Sequence, residues 1–378
     1  MINCIFYLPG GRKEHVPGHI EQVVYGFMKL ARDGVVNLTI STVPRDMPRY
    51  RRCFFADIDQ YRVCYDVHDA VGLTLPDTDA NELTAAETDA LLDRCDFVFK
   101  RSYSPAFVQT LRNRDRYFPL GLFYRYFPKR NRRENGVMRK IAHIERILHG
   151  WSRTDQLAAE TGNVDKYWTI GSAKRTDIDI LFTTRLWDIA SVKTKAPKTD
   201  ASDREERNRE RIDFLRALRR YSDRTIISGV SDSPIARQLC PDLILSDRYT
   251  ARANYRNLLR RSKVCVTTTG LSKSIGGRFA EYISAGKAIV TTPLYYTVTG
   301  NLSEGKNYLT FTTADELIAQ AEKLLADDDL RQDMELQNVL YYNRYVRPDV
   351  QVLNTIITVL EQGKFRDAAN SGTSNTRS

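Results

Sequence analysis

The chain has 378 residues, 42% of them apolar and 28% charged, which suggests two domains and excludes collagen-like, fibrous and disordered classes. No apolar run reaches the roughly 18 residues of a membrane-spanning helix, and the opening MINCIFYLPGGRKEH lacks both the early positive charge and the small-residue cleavage site of a secretory signal. Fifty-seven basic residues against 47 acidic ones leave +10, and segment 100–140, with twelve Lys or Arg against only Asp115 and Glu134, carries that same excess.

Residues 2–8 form an apolar run broken by Pro9-Gly10-Gly11, and Ile20, Val23, Val24, Phe27 and Leu30 then recur at helical offsets. Gly34 is placed to stop that helix, and residues 35–41 read as the next strand, completing a βαβ opening. Further strands are expected at 62–65 and 97–100, with a polar helix over 82–93. Clear alternation is lost over 151–175, and a second series of strands begins at 178–183. It continues with a charged helix over 204–221, whose core face is Ile212, Leu215 and Leu218, and with β-branched runs at 225–228, 263–267 and 288–292. Thr313-Ala314-Asp315-Glu316 has the form of a capping box and starts a helix with Leu317, Ala321 and Leu324 on one face. A last helix over 348–360 precedes a tail, 366–378, too polar to pack. The six cysteines show no C-x-x-C spacing and read as free thiols, in keeping with a cytoplasmic protein.

Ligands of open α/β sheets lie beyond the carboxyl ends of the strands, so segments there are the candidates for chemistry. In 267–292 the order is strand, Gly/Ser-rich loop, helix, glycine, strand, and the loop and helix start offer backbone N–H groups to an anion. Within it Arg278-Phe-Ala-Glu281-Tyr-Ile-Ser-Ala-Gly286-Lys, followed by Glu304-Gly-Lys-Asn-Tyr-Leu and Asp315-Glu-Leu, resembles the C-terminal domain of GT-B-fold glycosyltransferases, in the group-1 branch that includes the CgeB-like, spore-maturation-type proteins. The resemblance spans about residues 255–345 and implies two Rossmann-like, doubly wound domains facing a central cleft. The corresponding division is 1–160 for the acceptor domain, 161–345 for the nucleotide-sugar domain, 346–365 for a helix packing back on the first domain, and 366–378 for a disordered tail.

The implied activity is hexosyl transfer from a nucleotide-diphosphate-sugar to a glycan or lipid-linked acceptor hydroxyl, as in polysaccharide biosynthesis. Glu281 matches the carboxylate that accepts from the donor ribose hydroxyls, a role suited to a group with acceptor lone pairs only. Eight residues earlier, retaining relatives carry a second Glu on the donor sugar; here that position is Lys273, which suits a diphosphate or an acidic sugar instead. Gly270, Gly276 and Arg278 complete the loop side of the donor site, and Arg185 and Lys193 are placed to meet the diphosphate. Glu14, His15 and His19, after the first strand, are candidates for the base that deprotonates the acceptor. Gly11, Lys100 and Arg101 are expected on the acceptor side.

Asp66-Val-His68-Asp69 reads as a turn, and Asp57-Ile-Asp59 and Asp177-Ile-Asp179 have only the spacing of a metal-binding pair, so no metal and no cofactor is expected. The basic segment 100–140 also contains Tyr103, Phe107, Tyr117, Phe118, Phe123, Tyr124, Tyr126 and Phe127. Such a mixture suits docking at the inner face of an anionic membrane. It equally suits single-stranded nucleic acid, the alternative function. A sugar-nucleotide epimerase of the same fold is the alternative enzyme.

Overall fold

The computed structural model describes residues 1–8, 20–42, 53–69, 84–124, 176–189, 198–221 and 223–374. They build two α/β halves, each on a six-stranded sheet.

In the first half, β1 (Ile2–Leu8) and β2 (Val36–Thr42) pair in parallel through the crossover helix α1 (Ile20–Arg32). Val23, Val24, Phe27 and Leu30 are all buried, as their spacing requires. Gly34, at φ +76°, ends the helix in a conformation that costs a residue with a Cβ. The sheet order is β2-β1-β3-β4-β5-β6, where β3 is Cys53–Ile58, β4 Tyr61–Asp66, β5 Phe97–Lys100 and β6 Tyr117–Pro119. One strand departs from the parallel pairing of a doubly wound sheet: β3, which the sequence reading did not include, runs antiparallel to both β1 and β4. Its hairpin turn sits on Asp59, at φ +49°, whose carboxylate accepts from Asn3 N at 2.9 Å while its N–H reaches Asn3 O at 2.8 Å. This pair of hydrogen bonds ties the turn to β1. The helix expected over 82–93 is α2 (Ala85–Leu92), started by a capping box between Thr84 and Glu87.

The second sheet is fully parallel, in the order β12-β11-β10-β7-β8-β9. Its strands are β7 (Ile178–Thr184), β8 (Ile226–Ser231), β9 (Ile244–Leu245), β10 (Ser262–Thr267), β11 (Ala288–Thr291) and β12 (Leu309–Thr310). Counted from β7 this is the Rossmann order, 3-2-1-4-5-6, in which chain direction across the sheet reverses between β7 and β10. The helices that cover it are α3 (Lys198–Arg220), α4 (Arg252–Arg261), α5 (Gly277–Ser284), α6 (Ala314–Ala326) and α7 (Asp328–Tyr341). The Thr313–Glu316 capping box forms, and Leu317, Ala321 and Leu324 are buried beneath α6.

The chain then returns to the first half. Helix α8 (Pro348–Ser374) packs on α1 so closely that a Cβ on Gly26 would stand 2.3 Å from Pro348 O. The disordered tail expected from 366 is corrected in part, because the helix runs on to Ser374. Asp367 accepts from Tyr61 Oη at 2.5 Å and Arg366 pairs with Asp96 at 3.4 Å, so residues with too little apolar surface to pack are tied down by polar contacts. Among the described residues no helix is long and apolar enough to cross a membrane.

The halves meet at the carboxyl ends of their strands. Beyond β5, Arg101 Nη2 donates to Ile275 O at 3.1 Å and Tyr103 bridges Thr297; beyond β6, Pro119 O accepts from Thr299 Oγ1 at 2.9 Å. Gln22 of α1 and Gln351 of α8 share the carbonyl of Leu122, buried between them.

Candidate functional site

In a sheet of Rossmann order the crevice opens where the order reverses, here between the ends of β7 and β10. Arg185 follows β7 directly, and Thr268-Thr269-Gly270 follow β10. Between them comes Arg211, a buried residue of α3. Its three hydrogen bonds go to neutral oxygens: Nε to Thr268 Oγ1 at 3.0 Å, Nη1 to Arg185 O at 2.8 Å and Nη2 to Thr269 O at 3.2 Å. Burial, then repulsion from Arg185 and Arg207, push its pKa down to about 10, which leaves it cationic at neutral pH. One turn back on α3, Arg207 is instead surrounded by Asp203, Glu206 and Glu210.

Trp187 floors this cluster. The Arg185 guanidinium carbon lies 4.5 Å from its ring centre, and those of Arg204 and Arg211 lie 5.9 Å away. Asn208 clamps the Trp187 backbone on both sides at 2.8 Å, which fixes the ring relative to α3. The indole Nε1 and Thr183 Oγ1 are buried without a hydrogen-bond partner among the described residues. The indole N–H and the Thr183 hydroxyl can each donate to a ligand, and an anion is a ligand that satisfies both.

The loop after β10 is the second wall. Gly270 N is bound to Ser274 O at 2.8 Å, and Ser272 and Lys273 sit in succession at φ +54° and +56°. Two left-handed residues with side chains are costly and persist only where the surroundings impose them. Here Asp203 Oδ2 accepts from Ser272 N at 2.6 Å, and Ser272 O accepts from Tyr296 Oη at 2.9 Å. Lys273 Nζ lies 4.5 Å from the Tyr295 ring centre. The loop ends at Gly276, which caps α5 with no side-chain acceptor, while its carbonyl accepts from Phe279 N at 3.1 Å. One turn into α5, Glu281 Oε2 accepts from Arg278 Nη1 at 3.2 Å, and Arg278 stacks 3.6 Å from the Tyr255 ring centre. Glu281 Oε1 makes no hydrogen bond among the described residues.

Arg185, Gly270, Lys273, Gly276, Arg278 and Glu281 all fall on the carboxyl-end side of β7 and β10. Lys193, Gly11, Glu14, His15 and His19 lie outside the described residues. Arg211 was missed, although a signal existed: with Leu215 and Leu218 it continues the i, i+4, i+7 stripe that α3 turns to the core.

On the first half, the acceptor-side expectation needs correction at Lys100. Its ammonium is buried, 3.0 Å from Asp66 Oδ2 and 3.3 Å from His68 O, and is consumed in holding β4 to β5. Arg101 pairs with Asp69 and reaches across to Ile275, so it links the halves. The reading of 66–69 as a simple turn changes with it, since Asp66 and Asp69 are the partners of these two cations. The basic-aromatic segment is also corrected over its described part: Phe107, Tyr117, Phe123 and Tyr124 are core residues, not rings interleaved with surface cations. Residues 125–140 lie outside the described residues.

The carboxylates of both Asp-x-Asp pairs are engaged by other groups. Asp57 is bound to Arg62 at 2.9 Å and Tyr7 Oη at 2.6 Å, and Asp59 to Asn3. Asp177 pairs with Arg261 at 2.5 Å and Asp179 with Lys263 at 2.8 Å. No group of three or more His, Cys, Asp or Glu among the described residues could hold a metal ion.

Residues 207–347 match the Glycosyl transferase-like family, Glyco_trans_1_2. No curated protein matches the chain. Among solved structures, Anabaena Alr3699/HepE in complex with UDP is 14% identical over 72% of this chain and 67% of that one, with a TM-score of 0.39. The C-terminal domain of the glycosyl transferase group 1 family protein LpcC from Francisella tularensis is 10% identical over 48% of this chain and 91% of that one, at 0.29. A mutant of S. aureus TarM, in complex with fondaparinux, alpha-GlcNAc-glycerol and UDP, is 10% identical over 77% and 50%, at 0.37. The matched segment contains Arg211, Lys273, Arg278 and Glu281 of the site built above.

Proposed function

We propose that this chain is a group-1, CgeB-like glycosyltransferase that moves a hexosyl unit from a nucleotide-diphosphate-sugar to a hydroxyl of a glycan or lipid-linked acceptor. The observation that carries this reading is the buried Arg211, bound only to neutral oxygens at the switch point of a Rossmann-ordered sheet, inside the glycosyltransferase-like segment. A nucleoside diphosphate supplies the counter-charge that the hydrogen bonds of Arg211 do not. As the bond from the sugar to the diphosphate breaks, negative charge grows on the leaving phosphate, and cations already fixed by Thr268, Thr269 and Trp187 stabilise it without reorganising. The fixed arginines supply that charge in place of a metal. Glu281 Oε1 accepts from the vicinal ribose hydroxyls, and Arg278 orients the carboxylate through Oε2. Lys193 extends the diphosphate site, and the base that takes the acceptor proton is drawn from Glu14, His15 and His19.

Thermal unfolding against a panel of nucleoside diphosphates and nucleotide sugars tests the reading, since a ligand of the folded state alone raises the midpoint. At a hundred times its dissociation constant such a ligand adds about 2.7 kcal/mol. A base-selective rise is expected; an unmoved midpoint across the panel at millimolar ligand contradicts the proposal.

A further inference from the structure

We infer that the transferred sugar carries a carboxylate, selected by Lys273; this rests on the donor site proposed above. Loop 268–276 runs from one half to the other: Thr268 and Thr269 touch Arg211 at one end, and Ile275 accepts from Arg101 at the other. A diphosphate held by Arg185 and Arg211, with the acceptor on the first half, leaves the sugar to lie along this loop. Lys273 stands in its middle.

The lysine is held in place at considerable conformational cost. Both it and Ser272 adopt the left-handed backbone, and Asp203 and Tyr296 pin Ser272 from two sides. Its ammonium has no carboxylate within ion-pair distance among the described residues, and its neighbour is the ring of Tyr295. That ring is 52% exposed, although the residue after it is buried and the next is bridged to Tyr103 of the first half. An open aromatic face beside an ammonium is matched by a sugar that presents C–H groups to the ring and an anion to the nitrogen. A neutral hexose seated here would exclude water from the ammonium and give it nothing in return. A hexuronate places its carboxylate there. Tyr295 and Lys273 would thus set donor specificity without touching the diphosphate.

Calorimetric titration of the full chain with UDP, UDP-glucose and UDP-glucuronate, repeated for Lys273→Met and Lys273→Arg, decides the matter. Wild type is expected to bind UDP-glucuronate at least tenfold tighter than UDP-glucose. Lys273→Met should erase that preference while UDP affinity stays within about twofold, and Lys273→Arg should restore it in part. Equal affinity for the two sugars, or an equal loss of UDP and UDP-glucuronate binding in Lys273→Met, overturns the inference and leaves the donor site standing. Failure of wild type to bind UDP or any nucleoside diphosphate of the thermal panel overturns the donor site itself, and this inference with it.

Discussion

The two sheets present cations at the same place, just beyond the carboxyl ends of their strands, and treat them in opposite ways. In the first half each has its own carboxylate: Lys100 has Asp66 and Arg101 has Asp69. In the second, Arg211 is as buried as Lys100 but is bound to a hydroxyl and two carbonyls, with Arg185 beside it. A buried pair that is complete is part of the scaffold. A buried cation without a counter-ion lowers stability until an anion arrives, and in this molecule that difference separates the two strand-end clusters.

The largest effect expected from this contrast is on stability in the first half. Lys100→Met strands the buried Asp66 carboxylate and should cost about 3–5 kcal/mol, read as a lower denaturation midpoint in urea. If nucleoside diphosphate affinity fell instead while stability held, Lys100 would be a ligand contact after all. The mirror experiment is Arg211→Met. It should weaken nucleoside diphosphate binding about a hundredfold, or roughly 2.7 kcal/mol, with an unchanged or higher melting temperature, since a repelled buried charge is removed. A large loss of stability there would erase the distinction between the halves.

Next in size is Glu281→Ala. Loss of the proposed ribose contact should cost about tenfold in donor affinity, near 1.4 kcal/mol, measured by calorimetry with circular dichroism unchanged. Binding as tight as wild type would remove Glu281 from the site. The smallest effect concerns the opposite edge of the second sheet, where carboxylates pair with cations as they do in the first half. Burial alone would raise the Asp179 pKa, but the Lys263 ammonium and Thr225 N–H outweigh it and hold it below its ordinary 3.8. A carboxylate with a lowered folded pKa adds stability that is complete above that ordinary value and is lost as pH falls through the folded one. Asp179→Asn should therefore cost up to about 1 kcal/mol at pH 7 and nothing near pH 2, in paired urea titrations. A cost that persists in acid would point to packing rather than charge.

Much of the scaffold was legible because its signals are local. The stripe from Ile20 to Leu30, the stop at Gly34 and the Thr313–Glu316 box each involve residues a few positions apart. The loop after β10 was readable for the same reason, as a strand, a glycine-rich loop and a helix in unbroken sequence. What escaped depended on distant partners. Strand β3 has no alternation to mark it, and its hairpin turns on Asp59, which a glycine-based search passes over, because the bond that stabilises the turn comes from Asn3. Lys100 looked like a strand-end charge because Asp66 is 34 residues away in sequence. The extension of α8 to Ser374 rests on Tyr61 and Asp96, contacts that polar composition alone conceals.

Hydrogen exchange of the full chain, with and without a saturating concentration of the nucleoside diphosphate that raises the melting midpoint most, tests the contrast between the halves most directly. The account predicts slowed exchange in the amides of 185–187 and 268–279, with those of 101–104 unchanged. Protection confined to 101–104, or none in either region at saturation, would contradict it.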